Sequence, residues 1–336
     1  MSDENAGEQR EQELPWQRAA RAFTAASAAG RLDLPLPGSG QTGDRWAAFA
    51  DLAEEDLSLA RLAEGHSDAV AILAEIGGPC GLGGRRTVAG SQWGVWAANP
   101  PGPALTAVNT GGQWRLRGAK QYCSGARVCT HALVTAAADD GTRLFAVSTE
   151  NLVPQPGSWP ATGMAGSDTL NVTFPDVAAE PVGPPGAYTD RPGFSHGGAG
   201  VAACWYGGAR AIGRTLLHAA ARRDIGPHAF AHLGAVDIAL RTARAALDRA
   251  ADQIDADPAD PRRQGPARAL RVRALTESVA TDVMARVGRA LGAGPVSRDE
   301  AHSRAVADLT VYLRQHHAER DLAALGAIVA EGGVTW

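Results

Sequence analysis

Few residues in this chain have obvious chemistry to offer, and they are far apart. The stretch "YCSGA" ends a strand-like segment and sets the short hydroxyl of Ser124 between Tyr122 and a glycine. In "LARLAEGHSDAV", His66 follows Glu64; in "LRQHHAERD", His316 and His317 precede Glu319. Imidazoles exchange protons near neutrality, so either site could hold a neutral base. Arg222 ends a helical stretch, and its planar fork suits a diphosphate. Gly292 and Gly294 in "RALGAGP" would let the backbone approach a ligand closely. Each also has an ordinary reading: a strand-end turn, helix-surface imidazoles, a solvated arginine and helix-ending glycines. Cys80, Cys123, Cys129 and Cys204 show no CxxC spacing, so they read as buried thiols rather than a zinc clip or a disulfide framework. No GxGxxG follows a strand, which argues against a Rossmann site for NAD.

The chain that must position these groups has 336 residues, 45% of them apolar, enough to bury one large core or two to three smaller ones. A net charge of -4, from 32 basic and 36 acidic residues spread along the chain, offers no basic face to nucleic acid. The polar, acidic start "MSDENAGEQREQELP" lacks the basic and apolar regions of a secretory signal, so a cytoplasmic protein is expected. The longest uncharged run, Pro192 to Ala209, carries six glycines and is too weakly apolar for a membrane helix.

Periodicity divides the chain. Residues 1–44 read as a tail and a lead-in loop, because the Pro and Gly of "LDLPLPGSGQTG" stop a continuous helix. Residues 45–88 have helical spacing, with Trp46, Phe49 and Leu52, then Leu59, Leu62, Val70, Leu73 and Ile76. Residues 89–185 change to short alternating strands, and "DDG" between "HALVTAAA" and "RLFAVS" is a hairpin signal. Residues 195–336 return to helix. Leu233, Val236, Leu240, Ala243, Leu247, Ala250 and Ile254 step by three and four, while Leu275, Val279, Val283, Val287 and Leu291 step by four. The expectation is an α+β fold: N-terminal helices, a middle antiparallel β-barrel and a C-terminal four-helix bundle.

That order, together with "GAKQYCSGA", "GMAGSDTLNVTFPDV", "ARRDIGPHAFAHLGA" and "RALGAGPVSRD", resembles the acyl-CoA dehydrogenase superfamily over roughly residues 45 to 330. Lys120, Tyr122 and Ser124 fit the superfamily's barrel segment; Ser167, Asp168 and Thr169 fit the segment that closes the barrel. The resemblance implies bound FAD, with the Ser124 hydroxyl near flavin N5 and Tyr122 packed beside the ring. It also places the turn around Trp96 and Ala98 at the flavin pyrimidine. There Ala98, Asn99 and Pro100 replace the usual hydroxyl, leaving backbone N–H groups to do its work. Arg222 would reach the FAD pyrophosphate of a neighbouring subunit, and Gly292 and Gly294 would lie along the dinucleotide.

The resemblance fails at the base. Where relatives carry a Glu in the last bundle helix, counting from Asp308 arrives at His316; the second known base position falls near Val201 and offers no carboxylate. His316 and His66 are therefore the candidate catalytic residues, with Glu319 a conceivable carboxylate one turn beyond His316. No metal is implied. The expected activity is an FAD-dependent oxidoreductase moving hydride from an acyl thioester such as acyl-CoA, or a related small molecule, to flavin N5. The alternatives are a monooxygenase or oxidase of the same fold, or a catalytically silent structural subunit. A homodimer or homotetramer, or an assembly with a homologous subunit, is expected.

Overall fold

The computed structural model describes residues 13–77, 90–102 and 104–332. Its first helix, α1 (Pro15–Ala28), lies inside the stretch read as tail and loop. The helix-breaking Pro and Gly come only after Ala28, so the chain ahead of them is free to coil and to bury Ala19, Phe23 and Ala26 along one stripe. Helices α2 (Thr42–Glu55) and α3 (Leu57–Ile76) resolve the next periodic stretch. Asp56 divides them by accepting the N–H groups of Ser58 and Leu59 at 2.8 and 3.0 Å, an N-cap worth about 1 kcal/mol. Cys80 lies outside the described residues; Cys123, Cys129 and Cys204 are buried free thiols.

Among the described residues, seven strands follow: β1 (Trp93–Trp96), β2 (Thr106–Thr110), β3 (Gln113–Cys123), β4 (His131–Ala138), β5 (Gly141–Ser148), β6 (Val153–Gln155) and β7 (Leu170–Pro181). The ring β4-β2-β3-β7-β5 closes through the β4–β5 pairing into a five-stranded barrel, with β1 and β6 added beside β4 and β7. The expected hairpin is β4–β5, in register from His131↔Ser148 to Ala138↔Gly141, with Gly141 at φ 123° in the turn. Closure also needs the parallel contact of β4 with β2, which no local pattern announces.

A single turn, α4 (Ala187–Asp190), leads into α5 (Pro192–Arg222), α6 (Gly226–Ala256) and α7 (Gly265–Leu291). A short α8 (Gly294–Arg298) turns the chain into α9 (Glu300–Tyr312), the fourth bundle helix. The apolar spacings named above become the bundle interior, with Val236, Ala243, Leu247, Val279, Val283 and Val287 all buried. Gly207 is required where α5 crosses α2, because a Cβ there would strike the Ala50 carbonyl.

The last helix is not continuous. After α9 the chain makes a 3-10 turn (Leu313–Gln315), and Ala318 sits at φ 46° before α10 (Glu319–Glu331) begins. Asp321 accepts the His317 N–H at 3.0 Å and anchors the new start. His316 therefore lies at a break, and Glu319 opens a separate helix rather than following one turn later on the same one. Among the described residues, no helix is long and apolar enough to cross a membrane.

Candidate active site at the barrel mouth

Strand β3 loses register against β7 between Lys120 and Cys123, and the extra residue puts Tyr122 at φ 62°. Its ring is turned outward, 49% exposed, edge-on to Trp159 with centroids 6.4 Å apart. The next residues dock on the segment before β7: Gly125 N–H and Ala126 N–H donate to the carbonyls of Ser167 and Asp168. Asp168, itself at φ 48°, accepts from Arg127 through its backbone N–H (2.8 Å) and Nε (2.9 Å). The Arg127 guanidinium lies 3.8 Å from the Trp16 ring centre, which draws α1 onto the barrel.

Ser124 sits at the centre. Its carbonyl accepts from Trp96 Nε1 at 2.9 Å, and its Oγ meets Thr169 Oγ1 at 2.9 Å; Thr169 Oγ1 meets Ser167 Oγ at 2.8 Å, and Ser167 Oγ donates to the Met164 carbonyl at 2.8 Å. Each hydroxyl has one proton. Since Ser167 gives its proton to a carbonyl, Thr169 donates to Ser167 and Ser124 donates to Thr169. The chain is tied to the bundle by Asp308 of α9, whose Oδ1 accepts Met164 N–H at 2.5 Å. Burial pushes the Asp308 carboxyl up to about 6, against the opposing Met164 hydrogen bond.

The facing side is α3. Arg61 Nε donates to Ser124 Oγ at 3.3 Å, and Arg61 Nη1 pairs with Glu64. Burial pushes the Glu64 carboxyl up to about 7; the Arg61 cation opposes this and the Asp68 carboxyl one turn on adds to it. Asp68 in turn accepts from Arg45 Nη2 at 2.9 Å. Behind them, Tyr312 of α9 stands edge-on to Trp205 of α5, and the Arg273 guanidinium covers the Trp205 ring at 4.7 Å. Trp205 Nε1, Tyr312 Oη and Ser67 Oγ are buried without hydrogen-bond partners among the described residues.

The structure brings Trp96, Tyr122 and Ser124 together and puts Ala98 on the exposed loop that follows β1. That loop is held by Lys120, whose Nζ donates to Asn99 Oδ1 and to the Thr135 carbonyl, both at 2.8 Å. Burial lowers the Lys120 ammonium to about 8. His66 is placed elsewhere: five residues beyond Arg61, roughly 140° around the helix, its Nδ1 accepts the Trp93 N–H at 3.3 Å and its ring abuts Phe23. His316 is buried, its Nδ1 accepting Ala318 N–H at 3.2 Å and its Nε2 without a hydrogen-bond partner among the described residues. Burial lowers its pKa, and Arg273 links it to this layer by donating to the Gln315 carbonyl at 2.6 Å. Arg222, Gly292 and Gly294 are exposed at the far ends of α5 and α7 and do not join the mouth within one protomer.

Arg61 and Glu64 were not singled out from the sequence as site residues. A signal existed: α3 is buried on nearly every side, and two opposite charges three residues apart in such a helix must be paired with something.

No family model matches the sequence, and no curated protein matches it. Solved structures match over nearly its whole length. KijD3 in complex with FMN and dTDP-3-amino-2,3,6-trideoxy-4-keto-3-methyl-D-glucose has a TM-score of 0.78 at 20% identity, covering 94% of this chain and 87% of that one. The dibenzothiophene monooxygenase TdsC from Paenibacillus sp. A11-2 has a TM-score of 0.74 at 20% identity, covering 95% and 96%. The ChsE4-ChsE5 complex from Mycobacterium tuberculosis has a TM-score of 0.75 at 18% identity, covering 96% and 90%. The fold is that of the acyl-CoA dehydrogenase-like proteins.

Proposed function

We propose that this chain is a flavin-dependent oxidoreductase whose ring-binding site is the barrel mouth. The observation that carries the reading is Ser124, held at the open end of a closed barrel between Trp96, Thr169 and Arg61. The lining suits an isoalloxazine: aromatic edges at Tyr122 and Trp159 for its faces and the Arg61 guanidinium, fixed by the Ser124 hydroxyl, for its polar rim. Among proteins of this fold, KijD3 and TdsC are described with FMN. A bound flavin would supply two-electron redox chemistry.

The protein's own residues would orient the ring and manage protons. Tyr122 and Trp159 would exclude water from one side, and Arg61 would hold a cation at the polar rim. His316, neutral at pH 7 because burial lowers its pKa, keeps Nδ1 as acceptor of the Ala318 N–H and so carries its proton on Nε2, which would donate at the position where the resembling enzymes carry a glutamate. A histidine there in place of a carboxylate favours a monooxygenase or oxidase over acyl-thioester dehydrogenation. FAD, as first expected, would use Arg222, Gly292 and Gly294 of a second copy; FMN needs none of them. Self-association is supported by Leu217, Phe230 and Ile238, apolar and exposed on α5 and α6.

The test is spectroscopic: reconstitute the purified protein with FMN and with FAD, then titrate it anaerobically with a panel of acyl-CoAs. Uptake of flavin that stays oxidised, followed by oxygen consumption once a flavin reductase is supplied, is the expected result. Bleaching by an acyl-CoA would restore the dehydrogenase reading, and failure to take up either flavin would sink the proposal.

A further inference from the structure

Ser124 cannot both complete its chain of hydroxyls and donate to a ligand, because its single proton goes to Thr169. Arg61 has the spare donor. Its Nε is on Ser124 and its Nη1 on Glu64, while Nη2 has no hydrogen bond among the described residues, and the side chain keeps 17% of its surface accessible. The two Nη atoms form one edge of the guanidinium, matched to a planar carboxylate. Glu64 is already paired with Nη1, so a ligand forking onto both Nη atoms competes with it for that nitrogen. Glu64 has somewhere to go: Asp68 follows one turn later on α3, and a carboxyl turned toward it must carry a proton.

We propose that Arg61 is the group by which this site recognises an anionic ligand, a carboxylate on the substrate, and that Glu64 takes up a proton and releases Arg61 when that ligand binds. The idea rests on reading the barrel mouth as the ligand site. The charges around Glu64 permit the exchange. Arg61 and Asp68 flank it on α3, and Arg45 of α2 neutralises Asp68. Arg273 of α7 faces it as a second cation. Cys204 of α5, Tyr312 of α9 and Tyr188 of α4 are all pushed up by burial and stay neutral. Glu64, held near 7 by its burial, is thus the carboxyl of this cluster that changes charge close to neutrality.

Benzoate, ionised throughout, is the probe, with binding measured calorimetrically on flavin-free and flavin-loaded protein. One linked proton makes the dissociation constant fall about tenfold per unit as pH drops from about 9 to about 7, then level off. Repeating the titration in buffers of different ionisation enthalpy should count that proton directly. Glu64→Gln should bind with the low-pH affinity at every pH. Arg61→Gln should weaken binding at least about tenfold throughout, and Arg61→Lys, which keeps the charge without the fork, should fall between. Benzoate that fails to bind the wild type, binds it without pH dependence, or binds Arg61→Gln equally well would overturn the proposal. Flavin uptake is read separately by absorbance. Benzoate binding with the expected profile in protein that takes up no flavin would leave this inference standing and remove the flavin reading; flavin uptake with benzoate indifferent to Arg61→Gln would do the reverse.

Discussion

The barrel mouth has two sides built on different physics. On the barrel side, Ser124, Thr169, Ser167 and Asp168 are joined by hydroxyls, backbone amides and one ion pair between the buried Asp168 carboxylate and the partly exposed Arg127, and their side-chain polar atoms are partnered. On the helical side, Arg61, Glu64, Asp68, Tyr312 and Trp205 bring charge, a carboxyl that ionises near neutrality and several polar atoms without partners among the described residues. Backbone pairing fixes the first side, apart from the Asp308 carboxyl behind it, which burial pushes up to about 6. The second depends on which carboxyl holds a proton, so it is the side able to respond to a ligand.

The most severe way to break this comparison is Asp168→Ala, which leaves Arg127 unpaired and puts alanine in a left-handed backbone. A loss of about 3 kcal/mol in urea denaturation is expected, the same at pH 6 as at pH 8. Asp168→Asn should lose less, since Asn tolerates that conformation and keeps an acceptor. Gly207→Ala, which drives α2 from α5, should cost about 2 kcal/mol. Trp96→Phe removes one hydrogen bond to the Ser124 carbonyl and should cost about 1 kcal/mol, again without pH dependence.

The helical side should behave otherwise. Glu64 has a folded pKa of about 7, above the unfolded value of about 4.3. The unfolded chain therefore releases this proton first, and stability falls as pH rises from about 4 to about 7, then stops changing. Glu64→Gln should flatten the part of the melting-temperature profile that lies in that window; an unchanged slope would remove the distinction between the two sides. The smallest effect is expected at Arg222. Exposed and uninvolved in one protomer, Arg222→Ala should change stability by less than about 0.5 kcal/mol.

Elements set by short-range pattern were legible in the sequence. The three-part order, the β4–β5 hairpin and both long stripes of α6 and α7 follow from the spacing of apolar residues and from a glycine in a tight turn. Ser124 was singled out through the resemblance of "GAKQYCSGA" to a barrel segment, because a hydroxyl beside glycine at a strand end also reads as an ordinary turn. Helix α1 was missed because the Pro and Gly after it overshadowed a three-turn stripe. The break after α9 was missed because "VYLRQHHAERDLAAL" is helical in composition, and only the left-handed Ala318 and the Asp321 anchor interrupt it.

What the sequence alone determined was which segments coil, which extend and where their apolar faces lie, because those are properties of neighbours along the chain. Tertiary structure decided how those faces meet. Arg61 reaches Ser124 across 63 residues, Asp308 holds Met164 across 144, and the barrel closes by parallel pairing of β4 with β2, which precedes it. Such contacts are selected by the packing of whole elements, and in this protein they decide which charges stand at the barrel mouth.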